Sequence, residues 1–184
     1  MAATLLLVVL LMGLAIAGYF VFASFAFGAG YQPTPRDVVT RMLDLAEVGP
    51  SDTLYDLGAG TGAIVFRAAR ERGARVVGVE VEPVRVLILR LRRLIGGPRD
   101  RVRIVWGNLR RFDLSGATVV AVFLWPPMME VLKTRFVEDL PAGTRIVSYW
   151  HPIEGWTPSV VDGRRRVYLY RRPDPRGDAL PAHP

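Results

Sequence analysis

Hydrophobic and polar positions divide this chain into two parts. Residues 5–27 are almost wholly apolar, whereas from residue 36 onward short apolar runs alternate with segments whose apolar residues recur every three or four positions. A short apolar run bounded by turn residues is typical of a buried strand, and the longer period is typical of a helix with one apolar face. The pattern therefore predicts an apolar N-terminal helix followed by alternating strands and helices.

The alternating part contains six predicted strands and four predicted helices. The strands lie at 53–57, 75–79, 102–105, 118–124, 144–150 and 165–170, and the helices lie at 36–48, 63–72, 82–95 and 128–139. The first helix opens at Pro35 with Thr34 as its N-cap. In the third helix we expect one face to be buried, formed by Val84, Leu87, Ile88, Leu91, Leu94 and Ile95.

Regular alternation of strands with helices predicts an α/β fold, a doubly wound and mostly parallel sheet with helices on both faces. The segment between the last two strands is too short for a crossover helix, so we expect the last strand to be antiparallel. The tail after residue 172 carries no periodic pattern. We therefore assign residues 31–172 to one domain and residues 173–184 to a disordered tail.

The apolar segment 5–27 predicts a retained transmembrane helix. Its length corresponds to roughly 35 Å of helix, more than the ~30 Å hydrocarbon core of a bilayer. A cleaved signal peptide is the alternative, and residues 15–17 resemble a cleavage site, but no Lys or Arg precedes the run. Because Arg36 and Arg41 follow it, the positive-inside rule places the next domain in the cytoplasm. We therefore expect a single-pass membrane anchor at 1–30 and a cytoplasmic domain.

Composition narrows the chemistry that the chain can perform. Its 184 residues include 24 Lys and Arg against 17 Asp and Glu, a formal net charge of +7, and no cysteine. Disulfide scaffolds, cysteine zinc sites and thiol catalysis are thereby excluded. Two histidines, His151 and His183, leave little for a histidine metal site or a Ser-His-Asp triad, so we predict no metal.

Arginines crowd one region of the sequence. They are Arg85, Arg90, Arg92, Arg93, Arg99, Arg101 and Arg103. Three interpretations are open: a solvated face, a patch that binds anionic lipid headgroups, and a nucleic-acid patch. Beside a membrane anchor, we favour lipid over nucleic acid as a partner.

Candidate chemistry begins with the sequence DLGAGTG, which starts at Asp56 and follows the first predicted strand. Glycines at a strand-to-helix turn let the backbone approach a ligand closely, and the helix N-terminus favours anionic groups. The segment fits a dinucleotide fingerprint weakly, as Gly58-x-Gly60-x-x-Ala63. As Asp-x-Gly-x-Gly-x-Gly it resembles, over all seven residues, motif I of class I S-adenosylmethionine-dependent methyltransferases. A carboxylate such as Asp56 suits the ammonium group of that cofactor.

Two polar residues after later strands complete the candidate cofactor site. Glu80 ends the second strand, where a carboxylate can accept hydrogen bonds from both ribose hydroxyls. Asn108 follows the third strand, where these enzymes often use an acid or an amide near adenine. A simple turn residue is the alternative for Asn108.

From Tyr31 to Pro158 the chain resembles a narrower family. The matching segments are YQPTP before the first helix of the domain, LYDLGAGTG, VGVEVEP, GN at 107–108, ATVVAVFL, PAGTRIVS and GWTP. They resemble the archaeal broad-specificity protein-lysine methyltransferases and their membrane-anchored mitochondrial relatives, which methylate the ATP synthase c subunit and the adenine nucleotide translocase. The resemblance implies a Rossmann-like methyltransferase fold and S-adenosylmethionine as the cofactor. It implies that the cofactor is bound by Pro33, Thr34, Asp56, Gly58, Ala59, Gly60, Gly62, Glu80 and Asn108.

The segments after the fourth and fifth strands depart from the family pattern. They are LWPPMM from Leu124 and YWHP from Tyr149, and at the second the archaeal proteins carry an acidic residue. We expect both segments to form the acceptor mouth. Desolvation there lowers the pKa of an entering ammonium and supplies the neutral amine that methyl transfer needs. The candidate residues are Phe123, Trp125, Tyr149, Trp150 and His151, the last as a proton relay, and each also fits a structural role.

The leading hypothesis is therefore a membrane-tethered protein-lysine N-methyltransferase. Its partner is a protein with an acceptor lysine, and one form of the hypothesis places that protein in the membrane. One alternative acceptor is a membrane lipid or another small apolar molecule, and another alternative is an inactive cofactor-binding membrane module. An adenine acceptor is disfavoured, because Trp125-Pro126-Pro127 resembles the Asn-Pro-Pro-aromatic motif without its amide. A nicotinamide oxidoreductase ranks last, because the sequence contains no Tyr-x-x-x-Lys pair.

Overall fold

The structure is a computed structural model that describes residues 1–26 and 32–172, without the side chains at 17, 20, 21 and 23–26. The chain divides into two compact units, Met1–Gln32 and Pro33–Pro184. The predicted disordered tail at 173–184 lies outside the described residues.

The first unit contains helix α1, Ala2–Ala26. Within the described part of the chain, no helix has both the length and the apolar character needed to cross a membrane. This finding contradicts the predicted transmembrane anchor, and with it the membrane localisation and the cytoplasmic orientation that were inferred from the charges beside the span.

The second unit is built on a seven-stranded sheet with the order β3-β2-β1-β4-β5-β7-β6. The strands are β1 Thr53–Leu57, β2 Arg75–Glu80, β3 Val102–Trp106, β4 Val119–Val122, β5 Arg145–Tyr149, β6 Val160–Asp162 and β7 Val167–Arg171. The helices are α2 Arg36–Leu45, α3 Ala63–Glu71, α4 Pro83–Gly96 and α5 Pro126–Asp139. Strands β1 to β5 are parallel, and β7 runs antiparallel to both β5 and β6. The predicted doubly wound, mostly parallel sheet with an antiparallel end is therefore confirmed.

Side chains on the two faces of the sheet form two core layers. One layer includes Met42 of α2, Phe66 of α3 and Leu89 of α4. The other includes Leu132 and Phe136 of α5. Helices thus cover both faces, and the loops at the carboxyl ends of the parallel strands are free to form a site.

Helix α4 buries a different face from the one that its periodicity predicts. Its buried residues are Arg85, Val86 and Leu89, whereas Leu87, Leu91, Leu94 and Ile95 are exposed. The orientation is set at the start of the helix, where the Glu82 carboxylate accepts hydrogen bonds from the backbone N–H groups of Val84 and Arg85. Arg85 also pairs with Glu80, at the end of β2, and with Glu82, the N-cap residue of α4, so its side of α4 faces inward.

Two further local predictions are corrected. The N-cap of α2 is Pro35, with no side-chain capping bond, so Thr34 does not cap this helix. Strand β6 is missing from the predicted elements, because three residues are too few to show a period of two. It pairs with β7 as the outer strand of a hairpin at the edge of the sheet.

The predicted basic patch is mostly occupied with contacts inside the protein. Arg85 is buried, and four other arginines donate hydrogen bonds to backbone carbonyls. These bonds join Arg92 to Thr61, Arg93 to Arg99, Arg99 to Leu94, and Arg101 to Gly73. Arg92, Arg93 and Arg99 thereby connect α4 with the loops around it, and these internal contacts account for part of the crowding.

Candidate active site

The candidate site lies where the chain order of the sheet reverses. Strand β1 has β2 on one side and β4 on the other, and ligands of doubly wound sheets bind beyond the carboxyl ends of the strands at such a point. The loop Gly58–Gly62 leaves β1 there and leads into α3. The loops after β2, β4 and β5 open at the same edge.

The three glycines of this loop have backbone conformations that favour glycine. Gly58, Gly60 and Gly62 have φ angles of +85°, +55° and +90°. A Cβ atom at Gly58 would lie 3.0 Å from Leu124 Cδ2, and one at Gly62 would lie 2.5 Å from the Phe66 ring. The protein's own side chains therefore leave no room for a Cβ atom at these two positions, and the bends of this loop, called the glycine cradle below, favour glycine.

Glu80 fixes the shape of this cradle from the end of β2. Its Oε2 accepts a hydrogen bond from the Gly60 N–H at 2.8 Å, and its Oε1 accepts bonds from Val81 N–H and Glu82 N–H at 3.0 Å each. The buried carboxylate thus joins the glycine loop to the start of α4. An oxygen acceptor in this position can also serve the hydroxyl groups of a ligand.

Asp56 supplies a second buried carboxyl group at the end of β1. Burial, and then the negative charge of Glu80, raise its pKa to about 7, while a hydrogen bond from the backbone N–H of Val65 acts in the opposite direction. A buried acid with such a pKa is typical of a functional site. In its ionised form it would favour a cationic group, such as an ammonium, above the loop.

Arg85 is a site residue that sequence reasoning missed. It is only 6% exposed. Its Nη1 lies 3.9 Å from Glu80 Oε1 and its Nε lies 3.7 Å from Glu82 Oε2. The i, i+3 spacing of Glu82 and Arg85 was a signal in the sequence. The arginines that follow in the sequence obscure this signal, because together with Arg85 they also fit a basic patch.

The remaining predicted cofactor residues lie on neighbouring segments. Ala59 is buried within the glycine loop, and Pro33 and Thr34 immediately precede α2. The Arg67 guanidinium on α3 donates a hydrogen bond to the Arg36 carbonyl at 2.6 Å, which connects the start of α2 with α3. Asn108 is exposed, and its Oδ1 accepts a hydrogen bond from the Arg110 N–H at 2.9 Å. This bond is typical of a turn residue, and the role of Asn108 in cofactor binding stays a prediction.

Three of the candidate acceptor residues form an aromatic row at the ends of β4 and β5. The ring centroids of Phe123 and Tyr149 are 4.5 Å apart, and those of Tyr149 and Trp150 are 5.9 Å apart. Burial raises the pKa of Tyr149, with a further contribution from the charge of Asp37, so its hydroxyl is protonated at neutral pH. Trp125, in contrast, is 61% exposed as the N-cap of α5.

His151 follows this row directly and is held by its backbone. Its N–H donates to the Tyr149 carbonyl at 2.9 Å, and its own carbonyl accepts a hydrogen bond from Ser148 Oγ at 2.5 Å. Burial, and then the positive charge of Arg166, lower the pKa of the imidazole below its usual value of 6.5. The ring is therefore mainly neutral at pH 7, the form in which it can accept a proton.

Comparisons with known proteins agree with this geometry. The family described as "ANTKMT methyltransferase domain" matches residues 56–160, and the description "Histone methylation protein DOT1" matches residues 11–86. A protein-lysine N-methyltransferase of Saccharolobus islandicus is 41% identical over 149 residues, covering 76% of this chain and 91% of its own length. The adenine nucleotide translocase lysine N-methyltransferase of mouse is 34% identical over 135 residues, covering 72% of this chain, which spans 58% of that relative.

A solved structure provides a further match. An RNA methyltransferase from Salinibacter ruber in complex with S-adenosyl-L-homocysteine is 40% identical, with a TM-score of 0.76, and the match covers 83% of this chain and 98% of the other. Taken together, the matches confirm the predicted resemblance, the enzyme class and S-adenosylmethionine as the cofactor. The chain therefore belongs to the ANTKMT methyltransferase domain family.

Proposed function

We propose that this enzyme transfers methyl groups from S-adenosylmethionine to the ε-amino group of lysine residues in a protein substrate. The observation that carries the proposal is the row of Phe123, Tyr149 and Trp150 at the same sheet edge as the glycine cradle. At the buried inner end of this row, around Tyr149, desolvation favours a neutral amine over an ammonium, because it lowers the pKa of the amine. The names of the relatives from Saccharolobus islandicus and mouse support the same acceptor.

The residues present fit the cofactor. In our proposal Asp56 binds its ammonium group, Glu80 binds its ribose hydroxyls, and the loop Gly58–Gly62 cradles it through the backbone. When bound, S-adenosylmethionine supplies an electrophilic methyl group on a sulfonium.

The residues of the mouth then prepare the acceptor. The aromatic row removes water from the lysine and aligns its nitrogen for an in-line displacement. The nitrogen lone pair forms the new N–C bond as the C–S bond breaks. The electron pair of the broken C–S bond stays on sulfur. The proton that the lysine loses before transfer goes to water or to the neutral imidazole of His151.

An RNA base is the second candidate acceptor, because the solved relative from Salinibacter ruber is named an RNA methyltransferase. Overall identity does not separate the two, since the protein-lysine and RNA relatives are 41% and 40% identical. The segment Leu124-Trp125-Pro126-Pro127 offers no amide to hold the exocyclic amine of a base. We therefore favour lysine over a base, a lipid or an inactive module.

The acceptor can be tested with S-adenosylmethionine that carries a deuterated methyl group and with two polymers, poly-L-lysine and poly-L-arginine. We expect deuterated Nε-methyl-lysine in the acid hydrolysate of poly-L-lysine, detected by mass spectrometry, and no transfer to poly-L-arginine. Transfer to neither polymer, under conditions in which the enzyme binds S-adenosylmethionine, would count against a lysine acceptor.

A further inference from the structure

Two residues face each other at the carboxyl edge of the sheet in backbone conformations that are rare for their type. Trp150 follows β5 with a φ of +70°, and Arg166 precedes β7 with a φ of +53°. The Trp150 N–H donates a hydrogen bond to the Arg166 carbonyl at 2.7 Å. Left-handed backbone is unfavourable for residues other than glycine, and it persists at sites where the surroundings enforce it, which are often functional.

The side chains of this pair also interact. The Arg166 guanidinium carbon lies 4.2 Å from the centroid of the Trp150 ring, a cation–π contact. The ring remains 43% exposed and meets Tyr149 edge to face. Trp150 is thus the outer end of the aromatic row, and one of its faces is covered by a cation that the chain itself supplies.

The neighbouring charges make this arrangement specific to Arg166. The adjacent Arg165 pairs with carboxylates, 3.2 Å from Asp37 Oδ2 and 3.5 Å from Asp162 Oδ2. Arg166 instead lies over the indole, although Asp37 is close enough to raise the pKa of Tyr149. The indole face therefore holds a cation, while the neighbouring carboxylates of Asp37 and Asp162 are paired with Arg165.

We propose that the face of Trp150 is the subsite for the ammonium group of the acceptor, and that Arg166 occupies it until the acceptor displaces it. This inference rests on the proposed function, because a lysine arrives as an ammonium and each product amine is again a cation at neutral pH. Methylated ammonium groups bind aromatic faces well. Arg166 therefore competes with the acceptor, and removal of its charge exposes the subsite.

Tetramethylammonium chloride tests the subsite without turnover. The full-length protein is labelled with 15N, and the indole N–H signal of Trp150 is identified as the one lost in Trp150→Phe. In Arg166→Gln we expect this signal to shift saturably at a tetramethylammonium concentration at least tenfold lower than in wild type. Arg164→Gln alters an exposed arginine of the same turn and should behave like wild type. Arg166→Lys keeps a cation and should fall between the two.

Two results would overturn the proposal: an equal response of wild type and Arg166→Gln, or an equal response to sodium chloride or tert-butanol. Thermal unfolding of each variant shows whether it is folded. If Arg166→Gln is unfolded, the comparison of Arg166→Lys with wild type decides, and an equal response of those two proteins also overturns the proposal.

Kinetics with poly-L-lysine separate this inference from the proposed function. We expect Arg166→Gln to lower the KM for poly-L-lysine several-fold while the Kd for S-adenosylmethionine stays within twofold of wild type. If wild type methylates poly-L-lysine and Arg166→Gln has an unchanged KM, the subsite is wrong and the proposed function stands. If tetramethylammonium binds as expected and wild type methylates no lysine, the proposed function is wrong and the cation subsite stands.

Discussion

Two buried carboxyl groups, on Asp56 and Glu80, dominate the chemistry of the site at the scale of single residues. They end neighbouring parallel strands, so the sheet brings them to one edge. Their electrostatic interaction, added to burial, raises the pKa of Asp56 to about 7. Cofactor binding should therefore respond to pH near neutrality.

The affinity for S-adenosylmethionine is predicted to rise with pH up to about 7. Below its pKa of about 7 the Asp56 carboxyl is mostly protonated and cannot attract an ammonium, and above it the carboxylate is mostly charged. Between pH 5.5 and pH 7 the affinity should increase by about an order of magnitude. The α-amino group of the cofactor stays mostly protonated over this range, because the pKa of such a group is ~7.7–8.0. The change in affinity therefore reports the ionisation of Asp56.

Isothermal titration at several pH values measures this dependence, with Asp56→Asn as the control that removes the titrating group. Asp56→Asn should bind more weakly and show a flat profile over the same range. A pH-independent Kd in wild type, or the same slope in Asp56→Asn, would show that Asp56 does not contact the ammonium.

Glu80→Gln is predicted to weaken S-adenosylmethionine binding by about 10- to 100-fold. The substitution removes a charged acceptor from Gly60 N–H and, in our proposal, from the ribose, and hydrogen bonds to charged groups contribute about 1.5–3 kcal/mol. Glu138→Gln, on the exposed side of α5, is the matched control and should leave the Kd unchanged. Binding by Glu80→Gln within twofold of wild type would remove Glu80 from the cofactor site.

At the scale of elements, short-range signals predicted the segments that form the candidate cofactor site. The glycine loop and Glu80 lie at strand ends, and turn glycines and apolar runs mark strand ends directly in the sequence. The burial of α4 was not predictable in this way. The spacing of its apolar residues indicates a face that contains Leu87 and Leu91. The ion pairs of Arg85 with Glu80 and Glu82 instead hold the Arg85 side of the helix inward, and a hydrophobic pattern does not register such pairs.

The orientation of α4 predicts opposite outcomes for two leucines two positions apart. Leu89 is fully buried against the core, whereas Leu91 is 45% exposed. Leu89→Ala should lower the free energy of unfolding by about 2–5 kcal/mol, and Leu91→Ala should change it by about 0.5 kcal/mol or less. Urea denaturation of both variants measures the difference. A larger loss for Leu91→Ala would mean that the face predicted from periodicity is the buried one.

For the whole molecule, the sequence predicted the sheet, the identity of the cofactor and the enzyme class, because each depends on a motif with a local spacing. The Trp150–Arg166 pair could not be predicted, because it depends on the pairing of β5 with β7. These two strands are separated in the sequence by β6, which has only three residues. The transmembrane prediction rested on hydropathy alone and is contradicted by the described structure. The identity of the acceptor is the central claim that remains to be measured.

The most direct test uses S-adenosylmethionine with a radiolabelled methyl group and an extract of the cells that express the chain. Separate portions of the labelled extract are digested with protease, digested with ribonuclease or extracted with organic solvent. A parallel reaction with the Glu80→Gln variant gives the background label. Our account predicts that the label is released by protease and recovered as Nε-methyl-lysine after acid hydrolysis. Label released by ribonuclease, label in the lipid extract, or no transfer above the Glu80→Gln background would contradict it.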